Sequence, residues 1–296
     1  MWSLPFRACL VSLLLAFVLG LNACAGAGVA GQTPETTSYA FDAHVTDDQR
    51  AEIAAAVAMT SDWLASQAGM AMPVLHITAE PDGVTFIAGL RRLYAVTDIE
   101  TDGIRATIRD AAAITVGHDI LLIVNDRWQS LGPEKRSFVI AHEIFHVVQY
   151  ALASGTAEAP AGGDVPGPAW LVEGSADFVA AQVIAASGGR SFDDYLREYE
   201  ARGQGLRGSL RDLETVSAHT AWGAEAQYTL GFLATQELVE RAGAMALFGL
   251  WRGYGSGESW ETAFKFAFGE TVGAFYGEFD GRRARVPSGT TATASY

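Results

Sequence analysis

Two histidines four residues apart enclose a glutamate in His142-Glu143-Ile144-Phe145-His146, inside an otherwise apolar run. Phe138-Val139-Ile140-Ala141 precedes the string and Val147-Val148 follows it. On a helix, residues four apart share a face, so the two imidazoles can close on one metal ion while Glu143 lies beside it. The chemistry such a trio supports is hydrolysis. The ion lowers the pKa of a bound water toward about 7, and the carboxylate accepts the proton of that water. The alternative is a core helix with packed histidines, but two buried imidazoles flanking a carboxylate need partners in either case.

A catalytic zinc keeps three protein ligands and one open position, so a third ligand must come from elsewhere in the chain. The metzincin pattern requires a Gly and a third His soon after the second. This chain continues Val147-Val148-Gln149-Tyr150-Ala151-Leu152, which excludes that class. Further on, Pro168-Ala169-Trp170-Leu171-Val172-Glu173-Gly174-Ser175-Ala176-Asp177-Phe178-Val179 forms a second helix-like run with Glu173 and Asp177 on one face. Taken alone, that pair also reads as the solvated stripe of an amphipathic helix.

Following HExxH at this interval, Trp170-Leu171-Val172-Glu173-Gly174-Ser175-Ala176 resembles the gluzincin metallopeptidases, whose second helix carries a ligand Glu in a Trp-Leu-x-Glu-Gly-x-Ala type of string. The resemblance covers roughly residues 119–279 and is strongest at the two metal helices. It implies a zincin-like α+β fold with a small sheet next to the HExxH helix and a mostly helical C-terminal part. It further implies one Zn2+ held by His142, His146 and Glu173, Glu143 as general base, and a peptide or protein substrate. Asp177 takes the place of the Asp that, four residues after the ligand Glu, accepts a hydrogen bond from a zinc-bound His, fixing its tautomer and raising its basicity. Gln149 recurs in bacterial gluzincin-like sequences of the His-x-x-Gln kind, and Ala226-Gln227-Tyr228-Thr229-Leu230-Gly231-Phe232-Leu233 resembles a later helix packed near the site. Either Tyr228 or His219 then donates to the developing oxyanion.

Two other classes compete. A di-iron bundle would use Glu143-x-x-His146 but needs a second ExxH, which the chain does not contain. A non-catalytic surface lipoprotein that retains a metal would account for the ligands but not for Glu143. The remaining histidines read as structural or solvated: His44 before the first helix, His76 in a strand-like run, and His118 in a Gly117-His118-Asp119 turn.

The elements that must position these groups follow from pattern. Pro133 suits a first helical turn, and the period of Phe138, Ala141, Ile144, Phe145 and Val148 predicts a buried helix to about Ala153. Gly155 through Pro168, rich in Ala, Gly and Pro, reads as a mobile loop. Thr46-Asp47-Asp48-Gln49 resembles a capping box opening an Ala-rich helix to about Ala68. Strands are expected at Val74 to Ala79 and Val84 to Ala88 around Pro81-Asp82-Gly83, at Ile104 to Ile108, and at Ile120 to Val124. Beyond Pro168 the pattern is helical over roughly 168–186, 191–201, 222–242, 244–252, 258–268 and 271–283.

The formal charge of −14 argues against a nucleic-acid partner and against a basic membrane-binding surface, since phosphate contacts rely on Lys and Arg. Met1 to Arg7 and the apolar Ala8 to Leu21 read as an export signal over 1–23. A tether over 24–40, one metallopeptidase domain over 41–285 and a frayed tail over 286–296 complete the organisation. The only cysteines are Cys9, inside the signal, and Cys24, so the exported domain has no disulfide and must rely on its core. Leu21-Asn22-Ala23-Cys24 resembles a bacterial lipobox, although Asn22 is not the usual small or β-branched residue, and would make Cys24 a lipid-modified N-terminus anchored at a membrane. Ordinary cleavage after Ala23 or Ala25 is the alternative. If Cys24 is lipidated, Cys24→Ser should move the protein from the membrane to the soluble fraction or leave it uncleaved. Mass spectrometry of the mature N-terminus checks this, and an unmodified terminus at Cys24, Ala25 or Gly26 contradicts it.

Overall fold

The computed structural model describes residues 37–94, 112–154, 167–215 and 223–285. The signal, Cys24, the expected strand at Ile104 to Ile108, most of the Ala/Gly/Pro-rich loop, His219 and the tail lie outside them. The fold is α+β: one small sheet beside the HExxH helix, with the C-terminal part helical.

The sheet has order β1-β2-β4-β3, with β1 Thr37–Phe41, β2 Leu75–Glu80, β3 Ala113–Val116 and β4 Asp119–Ile123. β1, β2 and β4 run parallel, and β3 is an antiparallel edge joined to β4 by a two-residue turn with Gly117 at φ +60°. β1 begins inside the stretch expected to be tether. Its side chains are mostly exposed, so it lacks the apolar alternation that marks a strand in sequence, and its pairing to β2 is carried by the backbone.

A second correction concerns Val84 to Ala88, which is not a strand but part of helix α2, Gly83–Tyr94. Asp82 Oδ1 accepts from the backbone N–H of Val84 at 2.7 Å and of Thr85 at 2.9 Å, starting the helix. Phe86 and Ile87 are buried while Val84 is exposed, a helical rather than an alternating pattern. The β-branched Val84, Thr85 and Ile87 suggested strand; the Asp82 cap and packing on β2 and β4 outweigh that propensity.

Helix α1, Asp47–Ala68, opens with the expected capping box, Gln49 N–H donating to Thr46 Oγ1 and Thr46 N–H to Gln49 Oε1. The short α3, Asp126–Ser130, leads to α4, Pro133–Ala153, which carries the HExxH string. Arg136 Nε donates to both carboxylate oxygens of Glu52, at 2.7 and 2.9 Å, tying α1 to the start of α4. Then come α5 Ala169–Ala186, α6 Phe192–Gly203, α7 Ala224–Ala242, α8 Ala244–Gly255, α9 Trp260–Phe268 and α10 Val272–Arg285. α5 is buried on almost every side, packed between α4 and α7, which explains why it is apolar all round.

The α5–α7 crossing depends on two glycines. A Cβ on Gly231 would fall 2.1 Å from the Trp170 carbonyl oxygen, and one on Gly174 would fall 2.1 Å from the Gly231 carbonyl carbon. The helices therefore touch backbone to backbone, which brings Glu173 on α5 and Tyr228 on α7 close to α4. Gly231→Ala should destabilise the protein by about 1–3 kcal/mol or more, because backbone rather than a movable side chain must give way. Gly249→Ala, on α8 with open space around it, should be neutral or stabilising by up to about 1 kcal/mol. Urea denaturation of the two variants checks the contrast.

Candidate metal centre

α4 is held in register by a fully buried apolar face, with Ile140, Ala141, Ile144, Phe145, Val147 and Val148 shielded from solvent. This leaves His142 and His146, one turn apart, facing α5. Their Nε2 atoms converge to 2.9 Å, with the rings edge-on at 86°. Glu173 Oε2 lies 3.3 Å from His142 Nε2 and 3.4 Å from His146 Nε2. All three side chains are buried, and they form a group that could hold a metal ion, each offering one ligand atom.

The far side of each ring determines what the near side can do. His142 Nδ1 meets Asp177 Oδ1 at 2.8 Å. The other oxygen of Asp177 accepts from the Tyr199 hydroxyl at 2.7 Å. Burial, followed by the Asp177 charge, pushes the Tyr199 phenol well above its ordinary pKa, so it stays protonated and donates. A carboxylate only accepts, so His142 Nδ1 carries the proton. His146 Nδ1 meets Gln149 Oε1 at 2.7 Å, while Gln149 Nε2 donates to the Val172 carbonyl at 2.9 Å. The carbonyl can only accept, which fixes the amide orientation and makes His146 Nδ1 a donor as well. With both protons outward, both Nε2 lone pairs point inward.

Two inward lone pairs and a carboxylate oxygen then face one another with no donor among them. Glu173 Oε2 is buried and has no hydrogen bond in good geometry. Burial acts to raise the Glu173 pKa, and only positive charge beside it, on the imidazoles or on a bound cation, holds the carboxyl below the usual range. With the ring protons outward, that positive charge has to come from a cation shared by the carboxylate and the two Nε2 lone pairs. A tetrahedral ion with bonds of about 2.0–2.2 Å sets its ligand atoms about 3.3–3.6 Å apart. The two Glu–His separations match that spacing, and the His–His separation is slightly tighter. Two imidazoles and one carboxylate are also a donor set suited to zinc.

Glu143 is fully buried next to the two histidines, and the Thr115 hydroxyl of β3 donates to its Oε2 at 2.7 Å and to its main-chain oxygen at 3.1 Å. The edge strand therefore also packs on the HExxH helix, at Glu143. The Tyr228 ring lies 6.1 Å from the His142 ring, centroid to centroid. His44, His76 and His118 lie elsewhere: His44 pairs with Asp42, His76 contacts Ser38, and His118 Nδ1 contacts the Val74 carbonyl.

Thr115 and Tyr199 had not been singled out from sequence. Thr115 belongs to a four-residue strand with no alternation to reveal it, all of whose side chains are buried. Tyr199 shares an i, i+4 stripe with Tyr195 that reads as ordinary core, and its ring does stack on Phe232 with centroids 3.9 Å apart. Gln149 carried a signal, its position three residues after His146, where a helical side chain reaches back to the ring.

No family model matches the sequence, and no curated protein matches it. Among solved structures, a variant of an M1 zinc metallopeptidase from Deinococcus radiodurans is similar over 82% of this chain and 47% of that one, at 16% identity and a TM-score of 0.44. The chain spans about half the length of that protein.

If the three groups bind one ion, the purified protein should carry about one equivalent of metal, and Glu173→Ala should lower occupancy sharply. Asp177→Asn should weaken affinity by about 10–100-fold, because the carboxylate no longer orients the His142 ring. Metal analysis and chelator competition provide the measurements. Full retention of metal in Glu173→Ala would remove it from the ligand set.

Proposed function

We propose that the protein is a zinc-dependent peptidase in which His142, His146 and Glu173 hold the ion and Glu143 is the general base. The observation that supports this reading is the convergence of three buried acceptors with a buried carboxylate, Glu143, on the helix of the two histidines. The resemblance of Trp170 to Ala176 to the gluzincin string supports the same assignment. A site that only stored a metal would have no use for Glu143.

When bound, zinc supplies a Lewis acid that polarises a carbonyl and lowers the pKa of water toward about 7. The rest is the work of this chain's own groups. Glu143 takes a proton from the attacking water at a carboxylate oxygen and passes it to the leaving amine nitrogen. The Thr115 hydroxyl holds that carboxylate in one orientation. Asp177 and Gln149 keep the Nε2 lone pairs of the two rings facing inward. Tyr228, beside the His142 ring, donates to the developing oxyanion in this reading, with His219 as the rival donor. The substrate is a peptide or protein, and the enzyme acts after export, tethered through Cys24.

Glu143→Gln preserves shape but cannot accept the proton, so turnover of a fluorogenic peptide library should fall by about 10²–10⁴-fold with zinc content and folding retained. Thr115→Val, which removes one hydrogen bond to a charged group, should reduce kcat by on the order of tenfold without metal loss. Near-parental turnover in Glu143→Gln would exclude the mechanism.

A further inference from the structure

Gln149 has no exposed surface, and burying a carboxamide is costly unless its donors and acceptor are satisfied. Two different helices satisfy them. On α4, Oε1 accepts from His146 Nδ1 at 2.7 Å. On α5, Nε2 donates to the Val172 carbonyl at 2.9 Å and to Ser175 Oγ at 2.8 Å. Those two acceptors bracket Glu173 in the chain, one residue before it and two after. We propose that Gln149 is a positioning residue that locks the His146 ring to the helix carrying Glu173, so that imidazole and carboxylate keep one relative placement. The inference rests on the peptidase reading only for the identity of the ion.

The chemistry of the partners explains why the lock is an amide. At His142 a carboxylate suffices, because the second partner of Asp177 is a donor, Tyr199. At His146 the further partners are acceptors. Val172 offers a carbonyl, and the Ser175 hydroxyl directs its own proton to that same carbonyl at 3.3 Å. A carboxylate at position 149 would still accept from His146, and from Ser175 only by turning that hydroxyl away from Val172, and it would set oxygen against the Val172 carbonyl. If Gln149 served only to raise the basicity of the ring, Glu would do as well or better. If it locks two helices, Glu must fail.

The test compares the purified protein with Gln149→Glu, Gln149→Met and Ser175→Ala. Zinc affinity is read by chelator competition, coordination geometry from the visible spectrum of the cobalt-substituted protein, and helix coupling from the urea midpoint of the metal-free chain. Both Gln149 variants should lose about 10–100-fold in zinc affinity and change the cobalt bands, with Ser175→Ala losing less. Gln149→Met combined with Ser175→Ala should shift the midpoint by less than the sum of the single shifts, since both remove the same bond. Gln149→Glu with parental affinity and an unchanged cobalt spectrum would overturn the lock, as would additive midpoint shifts. If the parent takes up neither zinc nor cobalt while the midpoints remain non-additive, the peptidase reading falls and the lock stands.

Discussion

Three hydrogen-bond acceptors held against one another in a buried site constrain this molecule more than any other feature. The Nε2 atoms of His142 and His146 and the Oε2 of Glu173 lie within 3.4 Å of each other. In a low-dielectric environment, a carboxylate without a donor costs several kcal/mol. A cation between the three reverses the sign of that arrangement. The surrounding structure serves to keep the acceptors facing inward. Asp177 and Gln149 take the outward ring protons, Tyr199 holds Asp177, and Thr115 holds the neighbouring Glu143.

Such a site needs rigid walls, because mutual repulsion would otherwise part its members. His142 and His146 therefore sit on a helix whose apolar face is fully buried, and Glu173 on a helix enclosed on nearly every side. The glycine-to-glycine crossing of α5 and α7 holds Glu173 and Tyr228 near His142 without any side chain acting as a spacer. α6 contributes by stacking Tyr199 on Phe232, which points its hydroxyl at Asp177. Held within packed helices rather than on loops, the three side chains can keep the sub-ångström placement that a metal site would demand.

The parts of this arrangement legible in sequence were those with a helical period. The HExxH helix, its end near Ala153, the helix carrying Glu173 and Asp177, and the helices beyond lie close to where their spacing placed them. Asp177, pointed to by the gluzincin resemblance rather than by any period, hydrogen-bonds the His142 ring. What escaped were groups whose significance is set by long-range packing. Thr115 acts from a short edge strand, Tyr199 from an ordinary amphipathic stripe, and β1 from a stretch whose composition is that of a linker. Val84 to Ala88 misled because β-branched residues favour strands, while a single capping aspartate and two buried side chains decide for helix. The weight of Gly174 and Gly231 is likewise set by packing, since they are close contacts in three dimensions.

The central claim is that two imidazoles and one carboxylate share a single zinc ion. Zinc-edge X-ray absorption on the loaded protein tests it most directly. The account predicts a four-coordinate shell with two imidazole nitrogens at about 2.0–2.1 Å and oxygen filling the remainder. A shell of six oxygens, or a fit with fewer than two imidazoles, would contradict it.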